Sequence, residues 1–183
     1  TSGEALWRDI HERQIPHTRY FAIERSAGDA AAWAEGIPVE LTTLKNAEAV
    51  LLMGLPDGTT LAEWHPFLKL ALDANLPIYC SNPDRQSPRE DGLIMSPGAL
   101  AFAYAKLGGQ VTFYGKPHRR IFDALSSKLG AERILMVGDS LEHDIAGAQA
   151  VGWDSLLVQS GLYAAEFAQA DHDLVLAKFV ALQ

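Results

Sequence analysis

Two aspartates and a lysine have the residue types and spacing to do chemistry. Asp139 follows the apolar run Ile134-Leu135-Met136-Val137-Gly138, and Asp144 comes five residues later, after Ser140-Leu141-Glu142-His143. Four consecutive apolar residues suit a parallel strand covered on both faces. Gly138 then permits a tight turn that leaves Asp139 at the carboxyl edge of the sheet, where ligands of α/β proteins bind. Paired carboxylates at one strand end repel unless a cation joins them. A hard divalent ion with oxygen ligands, typically Mg2+ keeping several of its waters, resolves that conflict, so Asp139 and Asp144 are the expected metal ligands. The plainer alternatives are that Asp139 caps the next helix and that Asp144 only faces its dipole.

Lys116 joins them by topology. Val111-Thr112-Phe113-Tyr114 reads as a strand, Gly115-Lys116-Pro117 as its exit, and Pro117 as a first helical residue of a helix reaching Leu129. Taking that helix as a crossover makes Val111 to Val137 one βαβ unit with neighbouring or nearly neighbouring strands. Strands lie about 4.8 Å apart, so a lysine at one strand end can reach Asp139 at the next.

Further elements must support this edge. Thr1 or Ser2 can cap a helix to about Gln14, with Leu6, Trp7 and Ile10 on one face, and Pro16 stops it. Tyr20 to Ile23 is a strand, and Gly28-Asp29 opens an Ala-rich helix. Ala49 to Gly54 is a buried strand followed by a turn at Pro56-Asp57-Gly58, then a helix from Thr60 to Ala74 ending at Asn75 in a left-handed position. Pro77 to Cys80 is another strand, running into the polar loop Ser81-Asn82-Pro83-Asp84. There Asn82 and Asp84 are candidate ligand contacts, or else simply an Asx turn before Pro83. Arg85 to Gly92 reads as a charged loop, Pro97 to Leu107 as a helix, Trp153 to Gln159 as a strand, and Asp173 to Phe179 as a short strand or helix.

Composition narrows the function classes. With 48% hydrophobic and 21% charged residues the chain is an ordinary globular one, and a net charge of −8 without a basic run argues against nucleic acid and anionic membrane surfaces. The solitary Cys80 forms no internal disulfide and fits a reducing cytoplasm. No apolar run has the length of a membrane span. Cys80 and Ser81 lack a His–carboxylate pair placed to activate them, and the histidines lack ligand spacing.

Gly115-Lys116-Pro117, Gly138-Asp139-Ser140-Leu141-Glu142-His143-Asp144 and Ala150-Val151-Gly152 resemble motifs III and IV of the haloacid-dehalogenase (HAD) superfamily of phosphohydrolases, closest to its subfamily IIA. Cys80-Ser81-Asn82-Pro83-Asp84 resembles that subfamily's cap strand and loop. The resemblance implies a HAD-like Rossmannoid parallel sheet, its core incomplete here, with an inserted α/β C2-type cap. Residues 1–14 would be a hinge or core helix, 15–108 the cap, and 109–183 the C-terminal part of the core. It also implies a Mg2+-dependent phosphatase of a small phosphorylated metabolite such as a sugar phosphate or nucleotide, cytoplasmic and possibly homodimeric. In it Asp139 would bind the ion, Asp144 would support the ion or its waters, and Lys116 would hold the nucleophile and the transferring phosphoryl group.

One feature of the family is missing. HAD catalysis uses the first aspartate of an Asp-x-Asp motif behind an apolar strand as nucleophile, and no such motif stands in these residues; Asp171-His172-Asp173 follows the polar Ala168-Gln169-Ala170. Two readings follow. In the favoured one the nucleophile strand precedes Thr1 in a longer parent, and this chain alone is inactive, leaving an apolar flank where a strand is missing. In the other, Leu55-Pro56-Asp57 is a degenerate motif I, and Asp57, Ser81, Lys116 and Asp139 form a complete but dead core.

Overall fold

The computed structural model describes residues 1–89 and 92–169. The expected element at Asp173 to Phe179, and Asp171-His172-Asp173, lie outside the described residues. The chain divides into two compact units, Thr1–Gly115 and the part from Lys116 onward.

The first unit is built on five parallel strands in the order β2 (Glu40–Leu41), β1 (Arg19–Ile23), β3 (Ala49–Leu52), β4 (Ile78–Cys80) and β7 (Val111–Phe113). Helix α1 (Ser2–His11) opens it, fastened by a capping box in which the Glu4 amide donates to Thr1 Oγ1 at 3.2 Å. Strand β1 (Arg19–Ile23) pairs with β2 (Glu40–Leu41) on one side and β3 (Ala49–Leu52) on the other, with α2 (Asp29–Trp33) between β1 and β2 in sequence. All four residues of β3 are buried, as an apolar run in mid-sheet requires. Helix α3 (Leu61–Asp73) starts at Thr60, whose amide donates to Glu63, and ends before Asn75, which has φ 52° as expected. Strand β4 (Ile78–Cys80) pairs with β3.

The segment expected to be a loop forms an antiparallel hairpin, β5 (Gln86–Arg89) and β6 (Gly92–Met95), with the Ser87 and Ser96 hydroxyls 2.6 Å apart. Helix α4 (Pro97–Lys106) packs beside α3, and Leu68, Ala71, Leu100 and Tyr104 from the two helices meet Val50, Leu52 and Ile78 of the sheet in one core.

Strand β7 (Val111–Phe113) corrects the expected βαβ unit. It pairs with β4, Ile78 opposite Val111, and so belongs to the first unit's sheet. Its apolar side chains pack on the core already formed there, with Phe113 stacked on Phe102 at 4.7 Å, and Tyr114 is fully buried with its hydroxyl donating to Asp9 at 2.7 Å. The boundary between units therefore falls after Gly115, not at 108, and α1 packs within the first unit: Trp33 Nε1 donates to the Gly3 carbonyl and Trp7 Nε1 to that of Glu35.

In the second unit Pro117 is not the first helical residue. Helix α5 (Arg119–Leu129) starts after His118 and stops at Gly130 in a left-handed conformation, φ 58°. Strands β8 (Leu135–Gly138) and β9 (Asp154–Leu157) form a separate parallel pair, joined by a π-helical turn (Leu141–Ile145) and α6 (Ala146–Ala150); α7 (Ala164–Gln169) follows. Leu157 packs with Leu141, Ile145 and Phe167. The other face of the pair is open: Val137 stands opposite Leu156, and they are 52% and 54% exposed. The expected coverage on both faces is thus absent among the described residues, and an apolar flank is present instead. Because β3 lies in one sheet and β8 in another, the reading that sets Val50 to Met53 beside β8 in a single core does not hold.

Candidate active site

The site grows from the end of β8. Asp144, on the π-helical turn, is only 3% exposed. An ionised carboxylate pays a large desolvation cost there unless its oxygens are answered, and both are. Lys116 Nζ forms an ion pair with Oδ1, and the Ser140 amide donates to Oδ2 at 3.1 Å. Gly138 provides the room, since a Cβ on it would stand 2.2 Å from the Asp144 carboxylate. Lys116 thus meets Asp144 and not, as the βαβ argument suggested, Asp139.

Asp139 is held differently. Its Oδ2 accepts the Leu162 amide at 2.9 Å, and a Cβ on Gly161 would meet the same carboxylate at 2.3 Å. The loop after β9 therefore wraps Asp139 closely. Ser140 caps the turn between the two aspartates: its Oγ accepts from the His143 amide at 3.1 Å and lies 2.9 Å from His143 Nδ1. Tyr163 donates its hydroxyl to Glu142, and burial, followed by that hydrogen bond and the charges of Glu142, Glu166 and Asp139, pushes the phenol pKa up, so the donor keeps its proton. Burial, with the neighbouring His143 second, holds His118 below the usual histidine range. Sequence reasoning missed the roles of Ser140, Glu142, Gly161, Leu162 and Tyr163; Gly161 just past a strand was the only local hint.

The donor set fits a small hard cation. Mg2+ is commonly held through one or two carboxylates with waters filling the remaining positions, and Asp139 and Asp144 offer hard oxygens only. Among the described residues there is no cluster of three or more His, Cys, Asp or Glu that could form an all-protein cage.

Asn82 and Asp84 lie in the first unit. The Asp84 amide donates to Asn82 Oδ1 at 3.0 Å, which is the Asx turn. Asn82 also lines a cavity of about 290 Å³ at the carboxyl ends of β1, β3 and β4, together with Arg25, Asp29, Asp57, Ser87 and Met95; the residues lining this cavity do not include Asp84. Pro83 is buried as a wedge: a Cβ on Gly98 would lie 1.9 Å from its carbonyl oxygen, and one on Gly115 2.1 Å from its ring. Asp57 pairs with Arg25 at 2.7 Å, and its side chain is largely exposed. Cys80 is buried, its Sγ donates to the Asn82 carbonyl, and burial pushes its thiol up to about 12, which removes it as a nucleophile.

A family model described as HAD-hydrolase-like matches residues 113–182, the stretch bearing Lys116, Asp139 and Asp144. Across a longer stretch, the chain is 33% identical to a haloacid dehalogenase-like hydrolase of known structure from Brucella suis, with a TM-score of 0.75 over 94% of this chain and 69% of that one. The chain belongs to the haloacid-dehalogenase superfamily, subfamily IIA. It is also 32% identical over 171 residues to the acid sugar phosphatase of Staphylococcus haemolyticus, covering 87% of this chain and 64% of that protein. The glycerol phosphate phosphatase of Mycobacterium tuberculosis, solved with magnesium, shares the fold at TM-score 0.70 and 24% identity, over 88% of this chain and 49% of that one. The chain spans less than two thirds of the length of the curated relatives it matches. No described helix is long and apolar enough to cross a membrane.

Proposed function

We propose that the chain carries the charge-stabilising half of a divalent-cation-dependent phosphomonoesterase acting on a small phosphorylated metabolite such as a sugar phosphate or nucleotide. The observation that carries the reading is the buried Asp144 carboxylate clasped by Lys116 and the Ser140 amide, next to Asp139 at the same strand end. Such a site opposes charge developing on phosphate oxygens. Mg2+, when bound by Asp139 and Asp144, would supply Lewis-acid polarisation of a phosphoryl oxygen. Lys116 would neutralise a second oxygen and orient the group. In this reading the first unit is the α/β cap, and Asn82 and Asp84 on its polar loop are candidate substrate contacts. The phosphatase names of the similar proteins support the reaction class.

These 183 residues contain no aspartate placed as the family's nucleophile, and charge stabilisation without an acceptor leaves only residual catalysis. The chain is therefore expected to release no phosphate from p-nitrophenyl phosphate at ordinary enzyme rates, with or without Mg2+. Metal-dependent release that disappears in Asp139→Ala would overturn that expectation.

A further inference from the structure

We infer that Tyr163 and Glu142 form a latch that sets the position of Asp139 relative to Asp144, and are thereby positioning residues for the divalent cation. The inference rests on the proposed metal reading and goes beyond it, because neither residue is among the expected ligands.

Asp144 is placed by the turn that begins at Ser140, through the Ser140 amide. Asp139 is placed from the other side, by the Leu162 amide and the close approach of Gly161. The loop bearing those two residues leaves β9 after Leu157 and is short of regular structure until α7 begins at Ala164. Its backbone bonds include the Val158 amide to the Gly138 carbonyl at 2.8 Å, at the end of β8, the Gly161 amide to the Val158 carbonyl at 3.4 Å and the Ala164 amide to the Gly161 carbonyl at 3.0 Å, none of which reaches the turn that carries Asp144. The side chain that bridges loop to turn is Tyr163, next to Leu162: its hydroxyl donates to Glu142, two residues before Asp144, while its ring packs against the Leu141, Ile145 and Phe167 cluster. Glu142 is in turn within 3.5 Å of Ser140 Oγ.

The two carboxylates are thus held from two segments, Asp144 by the turn and Asp139 by the loop after β9, and this hydrogen bond ties the loop to the turn. A carboxylate with one oxygen committed to a backbone donor can offer the other to a cation, provided the loop supplying the donor does not swing away. Outer partners of this kind typically contribute tenfold or more to metal affinity.

The test is a Mg2+ titration of the 183-residue chain followed by thermal denaturation, comparing wild type, Tyr163→Phe, Glu142→Ala, Glu142→Gln and Asp139→Asn. Tyr163→Phe keeps the ring and removes the donor, so its metal-free melting temperature should stay close to wild type while the Mg2+ midpoint rises about tenfold. Glu142→Ala, on the other half of the latch, should raise the midpoint similarly, and Glu142→Gln, which retains an acceptor, should restore most of the affinity. An unchanged midpoint in both Tyr163→Phe and Glu142→Ala, with stabilisation lost in Asp139→Asn, would refute the latch and leave the metal site standing. Identical behaviour of Asp139→Asn and wild type would refute both.

Discussion

Gly98→Ala should unfold the first unit at a markedly lower temperature, although alanine is the better helix former. Gly98 is the second residue of α4, where a glycine-to-alanine change ordinarily stabilises by up to about 1 kcal/mol. Here the new Cβ would stand 1.9 Å from the Pro83 carbonyl oxygen and 2.3 Å from its carbon. Those are backbone atoms, so the clash cannot be relieved by a rotamer change. The Pro83 loop or the start of α4 must move, disturbing the Gly98 amide's 2.9 Å bond to the Asp84 carbonyl. Overpacking of this severity costs about 3 kcal/mol or more, which outweighs the propensity gain. The expected drop is on the order of 10 °C, read as the cooperative loss of helical circular dichroism. An unchanged or raised melting temperature would show that the Pro83 wedge yields easily.

Gly138→Ala should have the second large effect, and it falls on chemistry as well as stability. The added Cβ would lie 2.2 Å from the Asp144 carboxyl carbon and Oδ2. Asp144 is short and buried, so its carboxylate can retreat only by giving up the Ser140 amide or Lys116. A buried carboxylate left half-satisfied costs about 1–3 kcal/mol, and the steric term adds to it. We expect a loss of about 3 kcal/mol in the second unit and failure of Mg2+ to stabilise it. Denaturant unfolding of wild type and variant, with and without Mg2+, checks both parts. Wild-type stability with intact Mg2+ response would contradict the geometry assigned to Gly138.

Much of the framework was legible because local signals and tertiary demands agree. Thr1 with Glu4 and Thr60 with Glu63 mark helix starts, Asn75 and Gly130 mark helix ends, and the apolar Ala49 to Leu52 run is a buried parallel strand. The Gly-Asp end of β8 drew attention to Asp139 and Asp144, although local pattern alone did not identify their partners. Lys116 meets Asp144 across 28 positions and Leu162 meets Asp139 across 23, separations at which periodicity carries no information.

Strand β7 shows the same limit. Its apolar residues say only that it must pair and pack, and the sheet it joins is decided by the open edge of β4 and the Phe102 surface beside it. The β5–β6 hairpin was read as a loop because its charged residues hide the pairing that Ser87 and Ser96 close. Strand β8 misled in the opposite direction. Its apolar run promised two covered faces, and the described residues cover one.

The central claim is that Asp139, at the end of β8, belongs to a cation site from which Asp57 is excluded. The direct measurement is the Mg2+-induced rise in melting temperature for wild type, Asp139→Asn and Asp57→Asn. By mass action a ligand at one hundred times its dissociation constant stabilises by about 2.7 kcal/mol, so a real site registers well above noise. Equal stabilisation of wild type and Asp57→Asn is expected, with its loss in Asp139→Asn. Stabilisation that survives Asp139→Asn and vanishes in Asp57→Asn would contradict it.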